Sequence, residues 1–124
     1  MSRPVLSSVF VVGATMLVWA LPVTPRAATP LELRVPGYFY TEPASVQVTV
    51  SVEPESANRM LRIEMDGDRM FRSTDIALDG ADDVKLHTIR FRNLPSGMYT
   101  VRARLLATND REIASAQQEL EVAR

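Results

Sequence analysis

Six aspartates between positions 66 and 83 are the residues of this sequence whose type and crowding most suggest chemistry. Carboxylate oxygens bind Ca²⁺ when several of them converge on the ion. The full spacing of a calcium-binding loop is absent here, and Asp and Gly are also the ordinary residues of turns. We therefore expect a turn-rich segment. A calcium site is kept as an alternative, with the candidate ligands Asp66, Asp68, Asp79, Asp82 and Asp83.

Methionines supply a second candidate metal chemistry, because their thioether sulfurs suit Cu(I). The sequence contains a single histidine, His87, although copper sites usually combine the two residue types. The alternation around His87 directs its side chain inward. Methionine is also an adaptable filler of hydrophobic cores, and this is the role that we expect. The methionines concerned are Met60, Met65, Met70 and Met98.

A Gly-Tyr-Phe-Tyr segment is the candidate for binding another molecule. In an extended chain Tyr38 and Tyr40 point one way and Phe39 the other. We expect Phe39 in the core and the two tyrosines on the surface, where large amphipathic rings suit contact with a ligand. Pro36 and Pro43 flank the segment and hinder regular strand pairing there. The alternative is an aromatic edge segment that packs under a loop.

Catalysis and nucleic-acid binding are not expected. The sequence has no cysteine and one histidine, so no Ser–His or Cys–His pair is well placed, and we predict neither an enzyme nor a cofactor. Beyond residue 28 the chain holds 12 Arg and Lys against 15 Asp and Glu, a net charge of −3. A phosphate backbone requires a basic face, which this charge balance does not provide.

The N-terminus has the order of a secretory signal peptide. Arg3 precedes an apolar stretch that runs from Val9 to Leu21. Spanning a bilayer takes roughly 20 residues, and this stretch is shorter. We predict a cleaved signal peptide over residues 1–28, with an undetermined cut site. This makes the protein periplasmic or secreted, with membrane attachment only if the segment is retained. The absence of cysteine excludes lipoprotein attachment.

The remaining residues, 29–124, are enough for one domain. The clearest strand is 46–52, in which four valines alternate with polar residues. A short irregular strand is expected over 70–78. Segment 112–122 fits a strand or a helix, and we favour a strand because a short turn connects it to the strand before it. About seven short strands separated by turn residues predict an all-β, antiparallel sandwich.

Arginines on two of these strands predict a cross-strand ladder of charges. If the strands are neighbours, the basic residues face glutamates and need no ligand. The basic members are Arg62, Arg102 and Arg104, and the acidic members are Glu64, Glu119 and Glu121.

The pattern Leu94-Pro95-x-Gly97-x-Tyr99 resembles a corner of the immunoglobulin-like β-sandwich superfamily, in its fibronectin-type-III-like or bacterial Ig-like form. The resemblance covers about 30–124. It implies that these four residues are structural and that the Tyr99 hydroxyl bonds to nearby backbone. The cysteines and tryptophan of antibody domains are missing, so only the generic sandwich is implied, and a fold by itself implies no activity.

These observations predict an exported, non-catalytic binding or protein-interaction module. Its expected partner is another exported protein or an envelope component. Two alternatives belong to other classes: a small periplasmic protein that binds copper or calcium, and a structural subunit that pairs through a sheet edge.

Overall fold

A computed structural model describes residues 29–124, and the predicted signal peptide lies outside this range. Eight β-strands form the described part of the chain, joined by turns and two short 3₁₀ segments. The strands are β1 (Leu31–Arg34), β2 (Phe39–Thr41), β3 (Ala44–Val52), β4 (Met60–Gly67), β5 (Phe71–Ala77), β6 (Leu86–Leu94), β7 (Gly97–Leu106) and β8 (Glu112–Ala123). No helix in this range is long and apolar enough to cross a membrane.

Two sheets pack face to face as an Ig-like sandwich, which confirms the predicted fold class. One sheet has the order β1-β3-β6 and the other the order β2-β8-β7-β4-β5. Neighbouring strands are antiparallel except β2 and β8, which are parallel. Eight strands are present instead of about seven because the chain leaves the first sheet after β1 and adds β2 to the edge of the second.

The core lies between the sheets and follows from the period-two alternation of the strands. In β3, Val46, Val48, Val50 and Val52 are all buried. They meet the inward side of β6, and the inward side chains of β4 and β7 cover them from the other sheet. The alternation predicted for 46–52 and the inward direction predicted for His87 are therefore confirmed. The buried side chains of the second sheet include Leu61, Ile63, Met65, Val101, Ala103, Leu105, Leu120 and Val122.

The ambiguous C-terminal segment is strand β8, as favoured. Asn109 and Asp110 turn the chain with φ of 60° and 56° respectively. This is a left-handed conformation that short polar side chains tolerate. The turn delivers β8 alongside β7, and the two strands pair from Gly97 opposite Val122 to Leu106 opposite Glu112. Pairing with β7 satisfies the β8 backbone, and this outweighs the helical preference of Ala, Gln and Glu.

The strand expected over 70–78 is confirmed as β5, but it is regular, because it pairs with β4 along its whole length. Its alternation is poor because it is an edge strand with almost every side chain exposed. The turn before β5 begins after Gly67. Gly67 still belongs to β4, its N–H bonds to the Met70 carbonyl at 2.9 Å, and Asp68 and Arg69 form the tip.

Candidate interaction surface

The five candidate calcium ligands do not come together. Asp66 and Asp68 lie at the β4–β5 turn, whereas the other three follow β5 at the opposite end of the sandwich. The length of β5 separates the groups by roughly 20 Å. Among residues 29–124, no three acidic or histidine side chains are grouped as metal ligands would be. The aspartates are therefore close together in the sequence but not in the folded protein.

The aspartates after β5 instead organise their own turn. Asp83 accepts hydrogen bonds from the backbone N–H of Asp79 at 2.5 Å and of Val84 at 2.7 Å. These bonds, with a smaller contribution from nearby His87, hold the pKa of Asp83 below its ordinary value. Asp79 and Asp82 flank Gly80, whose φ of 60° gives the turn its left-handed residue.

The methionines do not surround His87 either. Met65 is buried in the core, and Met98 is exposed on the outer face of the five-stranded sheet. Both lie at the end of the sandwich away from His87, as does Met70. Met60 lies on the outer face of β4, whereas His87 points inward from the other sheet, opposite Val50.

The aromatic segment faces the opposite way from the expectation. β2 pairs with β8 so that Tyr40 lies opposite the buried Val122 and Phe39 lies opposite Glu121. Tyr40 therefore packs against the core, its hydroxyl donates to the Pro36 carbonyl, and partial burial raises its pKa. Phe39 is 62% exposed on the outer face, and Tyr38 beside it is 74% exposed. The prediction of a buried Phe39 and a displayed Tyr40 was wrong.

The Leu94-Pro95-x-Gly97-x-Tyr99 corner supports this end of the sandwich from within. The Tyr99 hydroxyl donates to the Pro95 carbonyl at 2.5 Å, and burial raises the pKa of this tyrosine. Leu94 is fully buried beside it. The Tyr99 ring lies over Gly67, where an added Cβ would stand 2.4 Å from Cε1. Only glycine leaves room for the ring, and the anchored corner directs the neighbouring residue, Met98, outward.

Two adjoining depressions on the outer face meet at Met98, and together we call them the Met98 groove. Each has a volume of about 250 Å³, and Met98 and Glu119 line both of them. The first is lined by Tyr38, Phe39, Met98, Glu119, Leu120 and Glu121, and the second by Asp66, Gly67, Asp68, Met98, Tyr99, Thr100 and Glu119.

The register of three strands gives the first depression its shape. Phe39 on β2, Glu121 on β8 and Met98 on β7 lie in one row across the sheet. Phe39 and Met98 are thus the walls, and the exposed side chain of Glu121 on β8 stands between them. Because neighbouring strands are about 4.8 Å apart, the two wall residues are about 10 Å apart along the row. The slot between the walls therefore has the width of one side chain, and that side chain is Glu121.

All charged residues that line the Met98 groove are acidic. Four carboxylates line it, and no lysine or arginine does. None of the four forms an ion pair with another residue of the range 29–124. The nearest basic residue along the chain is Arg69, at the tip of the β4–β5 turn next to Asp68. The four carboxylates are Asp66, Asp68, Glu119 and Glu121.

The other half of the same face carries the predicted charge ladder, but with different partners. Glu64 binds Arg102 at 3.1 Å and Arg104 at 3.4 Å, and Arg104 also binds Glu112 at 2.9 Å. Arg62 binds Asp75 at 2.9 Å. Glu119 and Glu121 were expected in this ladder and take no part, because β8 places them opposite Thr100 and Met98. We call these six paired residues the arginine ladder.

Hydrogen bonds set the protonation behaviour of the arginine ladder. The bond from Arg62 lowers the pKa of Asp75 and, reciprocally, raises that of Arg62. The bond to Glu112, followed by that to Glu64, raises the pKa of Arg104. These shifted groups stay charged at neutral pH, so the ladder neutralises itself.

Sequence reasoning found Tyr38 but missed Phe39 and Met98 as surface residues. Phe39 faces outward because of its pairing with β8, which no local pattern encodes. Met98 could have been recognised, since it alternates with the inward Tyr99 and Val101.

Comparison with known proteins supports the fold. No family profile matches the chain, and no curated protein is similar to it in sequence. Among solved structures it is similar to a superoxide reductase (neelaredoxin) from Ignicoccus hospitalis, with a TM-score of 0.52 and 17% identity over 73% of this chain and 78% of that one. It is also similar to a family 76 glycoside hydrolase from a bovine Bacteroides thetaiotaomicron strain, with a TM-score of 0.53 and 14% identity over 78% of this chain.

The chain corresponds to only 21% of that hydrolase. A third similar structure is the CARDB domain of PF1109 from Pyrococcus furiosus in complex with di-metal ions, with a TM-score of 0.46 and 15% identity over 75% of this chain and 85% of that one. At identities this low, the first two likenesses show a common β-sandwich fold and nothing about activity.

Proposed function

We propose that the chain is an exported, non-catalytic protein-interaction module of the bacterial Ig-like or fibronectin-type-III-like kind, and that the Met98 groove is its contact surface. One observation carries the proposal: Phe39, Tyr38 and Met98 expose 62%, 74% and 50% of their surface at the same place. Aromatic residues and methionine are enriched where proteins meet. A contiguous exposed apolar patch with a polar rim is typical of such sites.

The fold supplies a rigid base for such a contact. The walls of the groove stand on paired strands, and the Tyr99 corner and the half-buried Tyr40 hold those strands from below. Contact residues on paired strands need little ordering when a partner binds, which lowers the entropic cost of association.

The placement of the only histidine supports a non-catalytic function. His87 is buried, and its Nε2 atom lies 3.8 Å from the Asp83 carboxylate in the turn after β5. It is at the opposite end of the sandwich from the Met98 groove. General acid–base catalysis requires a group within hydrogen-bond reach of the substrate, and His87 cannot supply one at the Met98 groove.

Site-specific photo-cross-linking in cells tests the proposed surface. We expect p-benzoylphenylalanine in place of Phe39 to give a discrete cross-linked product with another exported protein. The matched control carries the same group in place of Thr88, which is exposed on the outer face of the three-stranded sheet. Cross-links of equal yield and pattern from both positions would show that the Met98 groove is not the contact surface.

Export is tested separately through the only tryptophan, Trp19, which lies in the predicted signal peptide. The protein recovered from the periplasm or medium should show no tryptophan emission when it is excited at the red edge of the tyrosine absorption band. Tryptophan emission from an exported sample would mean that the apolar segment is retained.

A further inference from the structure

We infer that the Met98 groove takes an arginine side chain from an extended segment of the partner protein. The aliphatic part lies over Glu121 and against Phe39 and Met98 on either side of it, and the guanidinium pairs with Glu121 or Glu119. This inference rests on the proposed interaction function and specifies the chemistry of its partner.

The shape of the slot favours a long, unbranched side chain. Phe39 and Met98 are walls about 10 Å apart along their row. Glu121 on β8 stands between them and forms the floor with its methylene groups and carboxylate. Long cationic side chains place their methylene groups against apolar surface and keep the charged head in water. A guanidinium near the exposed Phe39 ring also gains from a cation–π interaction.

The charges of the slot select a cation. Glu121 lies in the row of the two walls, and Glu119 is two residues earlier on the same side of β8. Asp66 lies across β7 from Glu119, opposite Thr100. The arginine nearest along β7, Arg102, is already bound to Glu64, and none of the groove carboxylates has an ion-pair partner among residues 29–124. A negative surface without a counter-charge attracts basic segments and repels phosphate-rich surfaces.

Arginine fits these charges better than lysine. Its planar guanidinium can donate two parallel hydrogen bonds to one carboxylate, whereas an ammonium is a point charge. Glu119 and Glu121 are about 6.8 Å apart along β8, which is also the spacing of residues i and i+2 in an extended peptide. A partner segment with arginines at alternate positions would therefore engage both carboxylates.

A peptide titration followed by NMR tests the inference on the protein recovered after export. The probe is the peptide acetyl-Ser-Arg-Gly-Arg-Ser-amide, and the matched peptides carry citrulline, lysine or norleucine in place of arginine. Citrulline keeps the shape of arginine and removes its charge. We expect the arginine peptide to shift the backbone amide signals of Met98, Glu119 and Glu121 in a saturable manner. Citrulline should weaken binding by about tenfold, because hydrogen bonds between charged groups are the strong ones.

Protein variants separate this site from general charge attraction. The double change Glu119→Gln and Glu121→Gln should weaken arginine-peptide binding by about tenfold. The control Glu55→Gln with Asp82→Asn removes the same charge at the opposite end of the sandwich and should leave binding unchanged. Equal weakening by both double variants, or signals that shift outside the groove, would overturn the inference.

The outcomes distinguish the inference from the proposed function. If the norleucine or citrulline peptide binds in the groove as tightly as the arginine peptide, the inference of a cationic partner is wrong. The proposal that the Met98 groove is a contact surface is then retained. Cross-linking from position 39 without any response to the arginine peptide has the same meaning. If no peptide shifts the groove signals and position 39 gives no cross-link, the inference and the proposed function are both wrong.

Discussion

The outer face of the five-stranded sheet has two halves that share strands β4, β7 and β8 but handle charge in opposite ways. In the arginine ladder every carboxylate is within 2.9–3.4 Å of a guanidinium nitrogen. In the Met98 groove no carboxylate has a basic partner among residues 29–124, and apolar side chains stand exposed between them. The same type of residue therefore stabilises the sheet in one half and is available to a partner in the other.

Burial explains why the two halves differ in their energetic consequences. Glu64 is only 7% exposed although it points away from the core, because the two arginines cover it. A carboxylate removed from water needs its partners. Glu119 and Glu121 are exposed, so water and salt screen their mutual repulsion. The Met98 groove can keep unpaired carboxylates at little cost to folding. The arginine ladder cannot lose the buried Glu64 carboxylate without a loss of stability.

Replacement of Glu64 should give the largest difference between the halves. Glu64→Ala removes the shared acceptor of Arg102 and Arg104, and we expect a loss of about 2 kcal/mol in the free energy of unfolding. The matched change in the groove, Glu119→Ala, should stay within about 0.5 kcal/mol of the wild type. Urea denaturation followed by far-UV circular dichroism measures both values. Equal losses would mean that the groove carboxylates are structural as well.

Substitution of the two neighbouring aromatic residues of β2 should distinguish the one that stabilises the fold from the one that is exposed for contact with a partner. Tyr40 packs against the core, whereas the ring of Phe39 faces water. We expect Tyr40→Ala to cost about 1.5 kcal/mol, roughly half the loss for a fully buried ring. Phe39→Ala should change stability by less than about 0.5 kcal/mol. Thermal melts of the two variants give the comparison. A destabilised Phe39→Ala beside a neutral Tyr40→Ala would show that β2 faces the other way.

Acid should act on the arginine ladder through Asp75. The hydrogen bond from Arg62 lowers the pKa of Asp75 below its ordinary value of 3.8. Folding is therefore favoured above that value and loses this contribution as pH falls through the lower folded-state pKa. The effect is small because solvent reaches both side chains, which are 28% and 44% exposed. Denaturation between about pH 5 and roughly pH 2 should show a shallower loss for Asp75→Asn than for the wild type.

Arg62→Gln removes the other partner of the same pair. It should reduce the loss of folding stability at low pH by a similar amount. If the loss of folding stability at low pH is unchanged in both variants, the Arg62–Asp75 contact is not formed in solution. Some slope should remain in either case, because turn hydrogen bonds also lower the pKa of Asp83.

Local patterns in the sequence determined the β-sandwich itself. The valine alternation of 46–52 and the Leu94–Tyr99 corner act over a few residues, since strand facing has a period of two and a turn depends on its own side chains. These features were predictable without any partner strand. The strand identity of 112–122 needed one further step, the short turn from β7.

Tertiary structure alone decided where the proposed contact surface lies. Parallel pairing of β2 with β8 turned Phe39 outward, and the register of β7 with β8 placed Glu121 beside Met98 and left Glu64 for the arginines. A shift of one residue in either register would move each side chain to the other face of the sheet. Register between segments far apart in the chain depends on how the whole core packs, so no short stretch of sequence contains it.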